Sequence, residues 1–145
     1  MGEILALQQI AYLSEGERYN DFSLPPLLQT LQEITADFDD QLFLKTVVDG
    51  KIVGSVRGYI QKGTCYVGRL IVHADFQDRG MGTRLMDEIE SRFPKAERYE
   101  LFTGQLSAKP LHIYAKRGYK PFRIEKIHEG LTLVYLEMRR GASNP

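Results

Sequence analysis

The sequence predicts a mixed α/β domain, on three observations. Apolar residues recur at helical spacing in two N-terminal segments. Three strand-like runs follow, joined by Asp49-Gly50 and by Gln61-Lys62-Gly63. The third run then turns through two glycines into an amphipathic helix, and a short strand, a short helix and a hairpin close the chain. The expected order is helix, helix, three antiparallel strands, helix, strand, helix, two strands.

Glu3 to Glu15 reads as the first helix, because Ile4, Leu7, Ile10 and Ala11 share a face. Glu17 to Leu24 is polar and turn-like. Pro25-Pro26 then opens a second helix, Leu27 to Asp37, with Leu27, Leu28, Leu31 and Ile34 apolar. Leu42 to Val48 alternates and is rich in β-formers; Asp49-Gly50 is a hairpin turn; Lys51 to Ile60 returns. Thr64 to His73 is the third strand. The helix from Gly82 to Phe93 turns Leu85, Met86, Ile89 and Phe93 inward, and Pro94 stops it. Tyr99 to Thr103 is a short strand and Pro110 to Arg117 a short helix, with Gly118 placed to end it in the left-handed conformation. Lys120 to His128 and Leu131 to Arg139 form the last hairpin around Glu129-Gly130. Residues 1–140 are expected to be one domain, and 141–145 a frayed tail.

Composition narrows the function classes. The 145 residues suffice for one sizeable core, and 43% hydrophobic with 26% charged residues excludes a disordered chain. A formal net charge of +0 gives no general pull toward nucleic acid or membranes. One cysteine, Cys65, permits no internal disulfide and suits a reducing compartment, so a cytoplasmic protein is expected. No apolar stretch approaches transmembrane length, and the N-terminus has no basic region followed by an apolar run. No set of His, Cys or carboxylates has metal-ligand spacing. Cys65 sits in an apolar strand and reads as a core thiol.

The informative segment is Gln77-Asp78-Arg79-Gly80-Met81-Gly82-Thr83. An apolar strand leads in and a helix leads out. The first amides of a helix lack intrahelical partners, and its dipole favours negative charge. Glycine lets backbone approach a phosphate without a Cβ in the way. The segment therefore predicts a phosphate-bearing ligand. It fits neither the dinucleotide fingerprint, since Leu85 stands where a third glycine is needed, nor the P-loop, which needs a Lys before Thr83.

What it does match is Gln-x-x-Gly-x-Gly, which resembles the acetyl-coenzyme A loop of the GNAT N-acetyltransferase superfamily. Leu70-Ile71-Val72-His73-Ala74 is similar to the family's fourth strand. Leu111-His112-Ile113-Tyr114-Ala115-Lys116-Arg117-Gly118-Tyr119 resembles its second hallmark, Leu-x-x-Tyr-x-x-x-Gly-Phe/Tyr. The resemblance is specific over residues 42–119 and topological elsewhere. It implies a mostly antiparallel sheet of six to seven strands flanked by about four helices, with a splay beside the cofactor strand. The family usually begins with a strand before the first helix. Here that strand is either missing, or Glu3–Ile10 is that strand and not a helix.

The resemblance implies direct transfer of acetyl from acetyl-CoA to an amine, without a metal and without a covalent enzyme intermediate. The amides of Arg79, Gly80, Gly82 and Thr83 would bind pyrophosphate in a loop spanning Gln77, Asp78 and Met81. The Arg79 and Arg84 side chains either add charge there or are solvated. Leu70, Ile71 and Val72 would pair with the pantetheine and acetyl groups, the Val72 amide stabilising the carbonyl oxygen. Tyr114 would be the general acid, a phenol protonated at neutral pH beside the departing sulfur; otherwise it packs with Leu111. Ser107 stands where many members carry an Asn that bonds pantetheine, and a capping role is the alternative.

The general base stays open. Tyr66 occupies a position where some relatives place a Glu. Water relayed to Glu33, Asp37 or another acid would serve, and so would no base if the amine arrives neutral. His73 is a weak candidate; His112 and His128 lie elsewhere. The first two helices, their connection and the last hairpin would form the acceptor site, with Tyr12, Glu33, Asp37 and Tyr66 as candidate contacts. The acids Glu15, Glu17, Asp21, Glu33, Asp37, Asp39 and Asp40 gather there, either as a wall that draws a cation or as a solvated surface. The expected partners are acetyl-CoA and an amine acceptor, with a homodimer open. The alternative to an enzyme is a coenzyme A-binding regulatory module of the same fold; a longer acyl-CoA is a further alternative.

Overall fold

A computed structural model of the chain describes residues 1–139. The tail expected at 141–145 lies outside them. Among the described residues, five α-helices flank one six-stranded sheet. Helix α1 (Gly2–Tyr19) ends where Asn20 takes the left-handed conformation, φ 50°. Glu3–Ile10 is therefore helix, and no strand precedes it among the described residues.

The second expected helix is two. Pro25-Pro26 starts α2 (Pro25–Leu28), but Gln29 is extended and α3 (Leu31–Asp40) begins afresh. The reason is Thr30: its side chain accepts from the Glu33 amide (3.1 Å) while Glu33 accepts from the Thr30 amide (2.9 Å). This capping box demands an extended residue at Thr30, so the helix cannot run through.

Strands β1 (Leu42–Val48), β2 (Lys51–Gln61) and β3 (Thr64–Val72) form a meander. Both turns are two-residue turns with positive φ at each position, Asp49-Gly50 and Lys62-Gly63, which suits the twist of a hairpin. Helix α4 (Met81–Ser91), strand β4 (Arg98–Gly104), helix α5 (Ala108–Lys116) and the hairpin β5 (Lys120–His128) and β6 (Leu131–Arg139) complete the chain. Gly118, at φ 98°, releases the chain from α5.

The sheet order is β1-β2-β3-β4-β6-β5, antiparallel except for β3 beside β4. The main core lies between the sheet and helices α4 and α5. There Met86 and Ile89 are fully buried against Val56, Cys65, Leu101 and Tyr114. A smaller cluster, Ile4, Leu5 and Ile34, holds α1 and α3 to the opposite face over Phe43 and Ile52.

Candidate active site

Parallel pairing between β3 and β4 covers only Thr64–Tyr66 against Arg98–Glu100. Beyond Tyr66 the strands part, while β4 stays paired to β6 through Gly104. The last residues of β3 thus face an opening on that side. A bulge contributes to the divergence. Arg69 is inserted opposite β2 between Ser55 and Arg57 and sits at φ 51°. A non-glycine residue there costs about 1 kcal/mol or more. The bulge also shifts side-chain alternation. Cys65 and Val67 face the main core, and after the bulge so do Leu70 and Val72.

The backbone of Val72 looks into this opening. The next amide, His73, donates to the Val53 carbonyl on β2 (2.7 Å). Successive residues of an antiparallel strand turn their amides to opposite edges, so Val72 turns its N–H away from β2. Its carbonyl accepts from Gln77 Nε2 (3.1 Å), which pins the start of the glycine segment to the strand end. Lys109 of α5 donates in turn to Gln77 Oε1 (2.8 Å).

The glycine segment delivers α4 to the mouth of the same opening. Gly80 is the residue before the helix, left-handed at φ 78°, with no acidic side chain in the first turn. A Cβ on Gly82 would stand 3.0 Å from Ile113 of α5 and 3.8 Å from Val72. The absent side chain thus lets strand, helix start and α5 come together. Met81, Gly82 and Thr83 contribute amides without intrahelical partners. Arg79 lies over the Phe76 ring at 5.2 Å, and Arg84 donates to the Arg79 carbonyl at 3.2 Å. Beside the helix start lies a cleft of about 400 Å³ lined by Thr83, His112, Ile113, Lys116 and Arg117.

Tyr114 is 5% exposed in the main core. Its hydroxyl takes no hydrogen bond among the described residues, yet no fully buried polar side-chain atom there is left unsatisfied, so that oxygen is not wholly sealed from solvent. Burial, chiefly, and then the neighbouring Tyr12 hold its pKa well above the ordinary phenol value. It keeps its proton through the neutral range. Tyr12, on α1, is likewise pushed up, to about 12, by burial.

Ser107 is buried at the start of α5 but caps nothing with its side chain. Its hydroxyl bonds Tyr19 (2.7 Å) and donates to Glu15 (2.9 Å), while Tyr19 accepts from the Leu106 amide (2.8 Å). The C-terminal end of α1 is thereby tied to the β4–α5 loop. Tyr66 stacks on Tyr59, ring centroids 5.2 Å apart, where β3 and β4 are still paired. Of the gathered acids, Glu15 also pairs with Arg18, Asp21 with His128, and Asp37 with Arg57, while Glu33 serves the capping box. These four carboxylates therefore already have partners within the chain.

Sequence reasoning missed a polar cluster next to this opening. Arg57 on β2, only 5% exposed, donates to Asp37 (2.7 Å), Gln8 (2.7 Å) and Gln29 (3.1 Å). Arg69 also donates to Gln29. Burial first, then the charge of Arg69, lower Arg57 to about 10, still cationic at neutral pH. The signal was present: each arginine interrupts an apolar strand, Ile52–Tyr59 or Val67–Val72.

Comparison with known proteins agrees with this arrangement. The family model for the acetyltransferase (GNAT) domain matches residues 14–140. UPF0157 protein YqkA of Bacillus subtilis (strain 168) is 27% identical over 131 residues, 90% of this chain but 38% of that protein, so the chain spans well under half of that relative. A GNAT family acetyltransferase from Elizabethkingia anophelis, solved with acetyl-CoA bound, matches with TM-score 0.64 and 18% identity over 76% of this chain and 83% of that one. The ribosomal-protein-S18-alanine N-acetyltransferase from Escherichia coli gives TM-score 0.65 and 14% identity over 77% and 79%. At such identities the likeness is one of fold.

Proposed function

The chain belongs to the GNAT acetyltransferase family, and we propose that it transfers acetyl from acetyl-CoA directly to a primary amine. One observation carries the reading. The opening between β3 and β4 and the amide-rich start of α4 meet at Gly82, packed against Ile113, the α5 residue next to Tyr114. Acetyl-CoA supplies the activated thioester.

The fit rests on this chain's own groups. The free edge at Leu70 and Val72 offers the Val72 N–H and the Leu70 backbone groups to an extended amide chain, as an added strand would, while the Val72 carbonyl holds Gln77. The Met81, Gly82 and Thr83 amides offer donors to phosphate oxygens, and no side chain at Gly80 or Gly82 stands in the way. The Val72 N–H is the donor for the carbonyl oxygen as negative charge develops on it. Attack by the amine nitrogen forms the C–N bond and breaks the C–S bond. Tyr114 gives its proton to the departing sulfur and recovers one from solvent; the amine loses its proton to water. Ser107 is committed to α1, so it acts by holding the α5 start in place and not by bonding a ligand through its hydroxyl.

The test is thiol release from acetyl-CoA across a panel of amines, with calorimetric binding in parallel. Binding with turnover is the expected result. Binding without turnover on any amine supports a coenzyme A-binding regulatory module instead, and no binding overturns both.

A further inference from the structure

Arg69 is the one basic side chain of the β3 bulge, in a backbone conformation that side chains rarely adopt. A Gly or Asn would sit there with less strain, so the use of the position lies in the guanidinium. That group meets Arg57 at the Gln29 side chain, which the α2–α3 connection supplies. The Gln29 side-chain oxygen accepts from both guanidiniums and from Gln8. Asp37 is the carboxylate bonded to this cluster, and it bonds Arg57 and Gln29 but not Arg69. Glu33 is engaged with Thr30, and Glu15 with Ser107 and Arg18.

Arg69 thus has five N–H donors and one hydrogen bond among the described residues. No fully buried side-chain donor is left unsatisfied there, so the remaining guanidinium nitrogens of Arg69 are not sealed from solvent. Arg69 has no carboxylate at ion-pair distance among the described residues, although Asp37 and Glu33 lie within its electrostatic reach, so a ligand carboxylate would supply the direct partner it lacks. The cluster adjoins the reacting centre. Arg69 immediately precedes Leu70–Val72, and Tyr12 lies within electrostatic reach of Arg57 and Arg69 on one side and Tyr114 on the other.

We propose that Arg69, backed by Arg57, binds a carboxylate carried by the acceptor, so that the acceptor is a small amino acid-type amine. This rests on the acetyltransferase reading above and names its substrate class. A planar guanidinium with free donors matches a carboxylate in a paired geometry, which a simple amine or polyamine does not offer.

The test compares matched acceptors: amino acids, the amines left by removing their carboxylate, and aminoalkyl phosphates. Thiol release should favour the amino acid over its decarboxylated partner by about 10- to 100-fold in kcat/KM, the worth of a hydrogen-bonded charge. Arg69→Gln should collapse that ratio through the amino acid's KM, with the acetyl-CoA KM little changed. Arg69→Lys should keep part of it, and the wild-type ratio stands as a test even where Arg69→Gln does not fold. Equal or better turnover of the decarboxylated amines, or of the phosphates, overturns the proposal, as does a ratio that survives Arg69→Gln. Bound acetyl-CoA with no turnover on any pair also overturns it while sparing the cofactor assignment. The parent reading falls only if acetyl-CoA fails to bind or if no amine of the wider panel is turned over.

Discussion

Tyr114 and Gly82 separate the two halves of the proposed mechanism. Tyr114→Phe keeps the ring in its packing and removes only the proton donor. Turnover should fall by about 100-fold or more, the usual worth of a positioned general acid, with acetyl-CoA affinity nearly unchanged. Steady-state kinetics beside calorimetry reads both, and an unchanged kcat removes Tyr114 from the chemistry. Because burial raises its pKa, no loss of rate through Tyr114 ionisation should appear below the ordinary phenol value near pH 10. A wild-type alkaline limb that Tyr114→Phe abolishes well below that point would contradict the assignment. Gly82→Asp acts on the other half. Its side chain enters the space between Ile113 and Val72 and sets a carboxylate among the α4 amides, so acetyl-CoA binding should be lost, with circular dichroism separating that loss from one caused by unfolding.

Among the elements, the helix and strand types were legible because periodicity and turn chemistry agreed. Asp49-Gly50 and Lys62-Gly63 fixed both hairpins, and Gly118 fixed the end of α5. The break between α2 and α3 was written in Thr30-x-x-Glu33 but hidden by the stronger start signal of Pro25-Pro26. Thr30→Ala should cost about 1 kcal/mol, lowering Tm by about 2–4 °C. An unchanged melting curve would show that tertiary packing alone sets the α3 start. The Arg57–Arg69 cluster was legible only as two arginines interrupting apolar strands; that they meet was not, because a bulge shifts side-chain alternation and its position depends on three-dimensional pairing. The end of α1 offers a pH test. Hydrogen bonds from Ser23, first, and then His128 hold the Asp21 carboxyl down at about 2, and His128 lies in the β5–β6 turn region. Its stabilisation is therefore full above the ordinary carboxylate range and fades as pH falls through about 2. Asp21→Asn should melt below wild type at pH 5, and the two curves should converge near pH 2; a constant gap would contradict the linkage.

The whole molecule has one sheet that comes apart in its middle, between β3 and β4, with a helix start at the mouth of the gap. Composition and periodicity alone did not reveal that splay. It was legible only through the resemblance carried by Gln77–Gly82 and Leu111–Tyr119. Strand order was also beyond local pattern, since β6 lies between β4 and β5. A ligand bridging the gap would join β3, α4 and α5 into one unit. Acetyl-CoA at 100 times its Kd should then add about 2.7 kcal/mol to stability, by mass action on the folded state. The most direct measurement is calorimetric titration of acetyl-CoA into the wild-type chain and into Gly82→Asp. The account predicts one saturable site in the wild type and none in the variant. Absence of binding to the wild type, or equal binding to both, would contradict it.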